Sequence, residues 1–221
     1  MTINKRILST KKLSVTQSEL LLATGLSLVH YDVLAIDKVA YDITGGVKCE
    51  HIIVTSSNAI NAIISLDYRV ENLFVVGEKT ANLLREKGFN IVEQATNAAQ
   101  LAQIIVNNYS HLSFVYFCGV HRRDELPQAL LSTQISFIEV KVYDSVAVEK
   151  SFDCIFDAIM FFSPRGVHAF AKANPENIHL AICIGETTAE AARIYTQNVK
   201  VAHKSTVENT IVTAVKALQN D

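Results

Sequence analysis

Short blocks of about four apolar residues recur along this chain. Each breaks into glycine or small hydroxylated residues and then into a run with helical spacing. Ile52-Ile53-Val54-Thr55 leads into Ser56-Ser57-Asn58-Ala59, and Leu73-Phe74-Val75-Val76 into Gly77-Glu78-Lys79-Thr80. The phrase then returns, as Ile159-Met160-Phe161-Phe162 before Ser163-Pro164-Arg165-Gly166 and as Ala181-Ile182-Cys183-Ile184 before Gly185-Glu186-Thr187-Thr188. Ser56 and Ser163 are 107 positions apart, Gly77 and Gly185 are 108, and a weaker match, Thr96 with Thr206, is 110. A four-residue apolar block followed by such residues predicts a buried strand running into a helix N-terminus. The offset makes the chain an internal duplication.

Carried along the first copy, the pattern predicts strands at 52–55, 73–76, 90–93, 114–118 and 136–142. Helices alternate with them at 58–65, 78–87, 97–108 and from about Arg123 to Leu131. Lys87-Gly88-Phe89 has the basic residue and glycine of a helix C-terminus. Alternation of this kind calls for a doubly wound parallel sheet. The second copy offers only strands 158–162, 180–184 and 199–202 before a last helix at 207–218, two strands short of its twin. The N-terminus supplies strand, helix and strand at 5–9, 15–24 and 28–36, and Ile7-Leu8-Ser9-Thr10 takes the role of Tyr116-Phe117-Cys118-Gly119. The expected fold is therefore α/β, with two similar flavodoxin-like domains joined by a two-stranded β ladder. One domain is discontinuous, residues 1–35 with 148–221, and the other, 43–140, is inserted. Residues 36–42 and 141–147 make the crossings, and Gly45-Gly46 is a turn signal.

Composition narrows the function classes. With 49% apolar and 19% charged residues, 221 residues form a globular protein with real cores. Met1 to Lys12 lacks the apolar run of a signal peptide and no stretch reaches the length of a membrane span, so a cytoplasmic protein is expected. The formal charge of −2, without a polybasic block, argues against nucleic acid as a partner. Cys49, Cys118, Cys154 and Cys183 show no CxxC spacing and read as reduced thiols. The seven histidines never pair with Cys, Asp or Glu at metal-ligand spacing, and no GxGxxG, Walker, HExxH or GxSxG frame is present.

What remains is a set of strand-end hydroxyls and glycines with a few cations. Serine or threonine at a helix start normally caps the first free N–H groups, but the same groups also bind anions. Capping is the simpler role for any single serine; two matched sets of loops favour a ligand held across a cleft. Gly119-Val120-His121-Arg122-Arg123-Asp124-Glu125-Leu126 is a compact basic loop, fit either for a carboxylate or phosphate or for an ion pair with a neighbouring acid. Tyr143, in Val142-Tyr143-Asp144 at the second crossing, either packs the hinge or donates a proton, since a phenol stays protonated at neutral pH.

These segments, from Thr55-Ser56-Ser57-Asn58-Ala59 through Val76 to Ala81, the Gly119 loop, Val142-Tyr143, Phe162-Ser163-Pro164 and Ile184 to Ala189, resemble the uroporphyrinogen-III synthase family in order and spacing over nearly the whole chain. The resemblance implies two α/β domains joined by a two-stranded ladder and a cofactor-independent enzyme. Its substrate would be hydroxymethylbilane, a linear tetrapyrrole with eight carboxylates, closed with loss of water and inversion of ring D through a spiro intermediate. No cofactor, nucleic acid or membrane partner is implied, and a monomer is expected. By position, Tyr143 matches the tyrosine proposed to assist departure of the hydroxyl. Ser56, Thr80, Ser163, Thr187 and Thr188 match hydroxyls lining the cleft, and Arg123 matches a basic loop position. Thr10, Lys11, Ser57, Asn58, Gly77, Arg165 and Gly185 complete the expected substrate contacts. Lys11 stands where many members carry arginine, and Ser57-Asn58 replaces a proline common in the family. A non-enzymatic two-domain module closing on a small anion is the alternative, but it leaves Tyr143 without a task.

Overall fold

The computed structural model describes residues 5–43, 50–66 and 70–219. The turn expected at Gly45-Gly46, and Cys49, lie outside them. The chain divides into two compact units, Met1–Ala35 with Val146–Asp221 and Ile36–Ser145.

In the second unit, β4 (His51–Val54), β5 (Asn72–Val76), β6 (Ile91–Ala95), β7 (Phe114–Gly119) and β8 (Phe137–Ala147) form a parallel sheet. A 3-10 turn at Ser57–Ala59 leads into α2 (Ile60–Ile64), followed in the chain by α3 (Glu78–Glu86), α4 (Ala98–Asn108) and α5 (Glu125–Ser132). The sheet order is β3-β8-β7-β4-β5-β6, where β3 is Leu34–Lys38. The five parallel strands thus run third, second, first, fourth, fifth, and not in the second-first-third order that a flavodoxin-like sheet would have. The helices explain the order. Ile60 and Ile63 of α2 and Ala81 and Leu84 of α3 join one core cluster, and Leu101 and Ile105 of α4 with Leu126 and Leu130 of α5 join another. Right-handed crossovers on one face carry β5 and β6 outward from β4; moving the next helices to the other face sends β7 and β8 the opposite way.

The first unit repeats this plan with its chain cut differently. β9 (Ala158–Phe161), β10 (Ala181–Cys183) and β11 (Val199–Val201) pair in sequence, and β1 (Arg6–Ser9) docks parallel to β9 with β2 (Ser27–His30) outside it. α6 (Pro164–Ala173) and α7 (Glu186–Ala192) supply one core face, α1 (Val15–Leu22) and α8 (Val207–Gln219) the other. Along β9, Ile159 and Phe161 face the first cluster and Ala158 and Met160 the second. Burial on both faces is why β9 and β10 read as unbroken apolar runs.

The stretch expected as one strand at 28–36 is two strands in different sheets. Tyr31 N and Val33 N still donate to the carbonyls of Ser9 and Thr10, at 3.1 and 3.2 Å, before the chain leaves for β3. Both side chains are buried, so no polar residue but Asp32 marks the break. The two crossings lie within β3 and near the end of β8, which are hydrogen-bonded neighbours at the edge of the six-stranded sheet.

Candidate functional site

Ligands of open α/β sheets bind beyond the strand C-termini where the strand order reverses. Here that point lies between β4 and β7 in one unit and between β9 and β1 in the other. Most of the residues singled out from the sequence follow these four strands or their neighbours β5 and β10.

In the second unit, Thr55 Oγ1 and Tyr116 Oη are 2.9 Å apart where β4 ends, and burial pushes the Tyr116 phenol up to about 12. Ser56 is extended and accepts from Asn58 N at 3.3 Å, a loose cap. After β7 the register slips: Cys118 pairs with Lys141, but Gly119 pairs with Tyr143. The slip brings the Tyr143 ring over Gly119. A methyl group placed on Gly119 would lie 2.6 Å from Tyr143 Cε2 and 2.7 Å from Cζ, so no residue but glycine leaves the ring where it is. Val120 N donates to Tyr143 O at 2.9 Å and fixes the backbone beneath. The Tyr143 hydroxyl makes no hydrogen bond to a described residue.

Tyr143 also lines a cavity of about 340 Å³ with Lys38, Tyr41, Ser57, Asn58 and Asn61. Tyr41 is held as a wall, its hydroxyl donating to Ala62 O at 3.1 Å and its ring set edge-on to Phe117. Thus Ser57, Asn58 and Tyr143 line one cavity, while Gly77, Thr80 and Arg123 stand outside it. Lys38, Tyr41 and Asn61 are additions that the sequence pattern did not single out. Lys38 sits in the crossing strand and Asn61 is one exposed position of α2, so neither carries a motif.

In the basic loop, Arg122 and not Arg123 takes the ion pairs. Arg122 Nε donates to Glu139 at 2.7 Å, and its guanidinium also meets Asp124. Burial works against its charge, but these bonds prevail and hold it above the usual arginine value. Arg123 is exposed and has no side-chain partner among the described residues.

In the first unit, Ser163 accepts from Gly166 N at 3.0 Å and Pro164 occupies the first helical turn, so this loop is closed upon itself. Thr10 Oγ1 donates to Met160 O at 2.8 Å, which spends its proton on the β1–β9 junction. The Ser9 hydroxyl holds the Lys11 carbonyl at 2.6 Å and leaves the exposed Lys11 side chain at the strand end. Arg165 lies half-buried in the first turn of α6.

The glycine loops behave differently from the serine loops. Neither Gly77 before α3 nor Gly185 before α7 provides a side-chain cap for the first helical N–H groups, of which Thr188 N donates to Gly185 O at 3.1 Å. Gly77 has a φ of +88°, which glycine alone adopts without strain, whereas Gly185 is extended. Thr80 and Thr188 occupy the same place, buried in the first turn of each helix, and Thr187 is exposed beside Thr188. Chemically, the strand ends carry backbone N–H donors, cations and phenols, and the Tyr143 phenol is one with no hydrogen bond to a described residue.

The family model described as uroporphyrinogen-III synthase HemD matches residues 18–211. The porphyrin biosynthesis protein HemD of Ruminiclostridium josui is 28% identical over 183 residues, 72% of this chain. The chain spans only 36% of that relative's length. Among solved structures, uroporphyrinogen-III synthetase of Helicobacter pylori superposes with a TM-score of 0.73 at 16% identity, covering 96% of this chain and 99% of the other. A mutant uroporphyrinogen III synthase of Thermus thermophilus gives 0.60 at 14% identity, covering 98% and 100%. These two share the fold described above.

Proposed function

We propose that this chain, which belongs to the uroporphyrinogen-III synthase family, closes linear hydroxymethylbilane to uroporphyrinogen III with loss of water and inversion of ring D. The observation that carries the reading is the family match over residues 18–211. In the reaction the Tyr143 phenol donates to the terminal hydroxyl, the C–O bond breaks, water leaves and the pyrrole nitrogen lone pair completes an azafulvene. The substituted α-carbon of ring D attacks that methylene to give the spiro intermediate. The bond from ring D to its old methylene then breaks, the freed azafulvene is captured at the other α-carbon of ring D, and a proton is lost. Electrons balance without oxidant or reductant, so the chemistry is that of a hydro-lyase needing no cofactor.

The protein's larger task is to hold a floppy octacarboxylate with its two ends together, an orientation effect. The uncapped N–H groups after Gly77 and Gly185, with Thr80, Thr187 and Thr188 beside them, suit the carboxylates. Lys11, Arg123 and Arg165 supply charge, and Ser56, Ser57, Asn58, Thr10 and Ser163 supply polar lining, though the hydroxyls of Thr10 and Ser163 already serve the backbone. We read the protein as a cytoplasmic monomer acting without nucleic acid or membrane. The test is incubation with enzymatically made hydroxymethylbilane and resolution of the isomers. Type III above the spontaneous type I background is expected, and type I alone would refute the reading.

A further inference from the structure

The cavity beside Tyr143 has two unlike walls. The rings of Tyr41 and Tyr143 with Ile36, Val39 and Val142 are apolar, and Lys38, Ser57, Asn58 and Asn61 are polar. Lys38 is exposed and forms no ion pair with a described residue, and the side chains of Ser57, Asn58 and Asn61 form no hydrogen bond with one. By contrast Ser65, at the same cavity, already donates to Asn61 O at 2.8 Å. An unpaired cation and three unused polar side chains facing flat apolar rings match a flat aromatic ligand that carries carboxylate. The volume suits a small group. About 340 Å³ lies near the lower end of the range of about 300–1,000 Å³ for small-molecule pockets, room for one ring with its side chains.

We infer that this cavity is a subsite for a single terminal pyrrole ring of the substrate, with Lys38 and Asn61 as specificity-determining residues that hold its carboxylate beside Tyr143. The inference rests on the proposed function for the identity of the ring; the geometry supplies the rest. A ring bound here lies against the phenol whose position Gly119 fixes. It also divides labour: Lys38 and Asn61 act on affinity, Tyr143 on turnover.

The experiment has two arms on the full chain. In the first, porphobilinogen, a monopyrrole with one acetate and one propionate, is titrated while side-chain amide signals of Asn58 and Asn61 are followed by NMR. Both signals should shift, and Lys38→Gln should weaken binding about fivefold or more while Lys38→Arg retains it. Shifts absent from both amides, equal binding by Lys38→Gln, or equal binding of 2,5-dimethylpyrrole, which has no carboxylate, would overturn the subsite. In the second arm, Lys38→Gln and Asn61→Ala should raise KM for hydroxymethylbilane about fivefold with kcat within about twofold, and Lys200→Gln, far along the chain in β11, should leave both unchanged. A wild-type protein that makes type III while both cavity variants keep its KM refutes the subsite alone. One that makes no type III refutes the proposed function, and the monopyrrole arm then decides the subsite by itself.

Discussion

Gly119 and Tyr143 are paired across β7 and β8 by a register slip, and the phenol ring lies where any side chain on residue 119 would have to be. In the proposed reaction the phenol has to meet the leaving hydroxyl, and a residue without a side chain sets where its ring lies. Gly119→Ala is expected to displace the ring and lower kcat about tenfold or more. Overpacking of this kind costs about 1–3 kcal/mol, so the variant should still fold. Single-turnover formation of the type III isomer, with thermal unfolding in parallel, checks this; an unchanged rate would separate the ring position from catalysis.

Tyr143→Phe keeps the ring over Gly119 and removes only its hydroxyl, and with it the proton donor. A positioned general acid contributes about a hundredfold to ten-thousandfold, and a fall of that order in turnover, with folding intact, is the expected outcome. A ring that merely fills space would leave the phenylalanine variant near the wild-type rate.

The two kinds of strand-end loop should separate stability from activity. Ser163 caps α6, so Ser163→Ala is expected to cost about 1 kcal/mol of stability with little effect on rate. The Ser56 bond is longer, 3.3 Å, and Ser56→Ala should cost less. Thr80→Val and Thr188→Val keep the buried shape of a first-turn residue and lose a hydroxyl without a described partner, so they should reduce activity more than they reduce stability. Denaturant titration beside a rate assay distinguishes these outcomes.

Alkaline pH provides a test of the cores. Burial pushes the Cys183 thiol up to about 12 and Cys118 up to about 11 from an ordinary 9, and burial likewise raises Tyr116 to about 12 from 10. Because the folded state holds these protons more tightly, the stabilisation is complete below pH 9 and is lost as pH rises towards 12. The melting temperature should therefore fall across that window, starting near pH 9 with the thiols. Cys183→Ala should flatten the early part of the decline; an unchanged profile would show that Cys183 does not titrate on unfolding.

The sequence by itself carried everything that depends on local repetition. Apolar blocks broken by Ser56, Gly77, Ser163 and Gly185 located the strand ends, because strands buried on both faces must be continuously apolar and helix starts need small or hydroxylated residues. The shortfall of two strands in the second copy pointed to β1 and β2 as its completion, and β1 does lie directly beside β9 in the five-stranded sheet. Tertiary structure alone decided the rest. The strand order follows from which face each helix takes, and that is a choice of packing partner with no local signature. Whether Arg122 or Arg123 is paired depends on Glu139, and whether the Thr10 proton is free depends on Met160, both distant in the chain. Lys38, Tyr41 and Asn61 join Ser57, Asn58 and Tyr143 only because a crossing strand, a helix and the sheet edge converge. Contacts of that separation are written in the fold and not in any one stretch of residues.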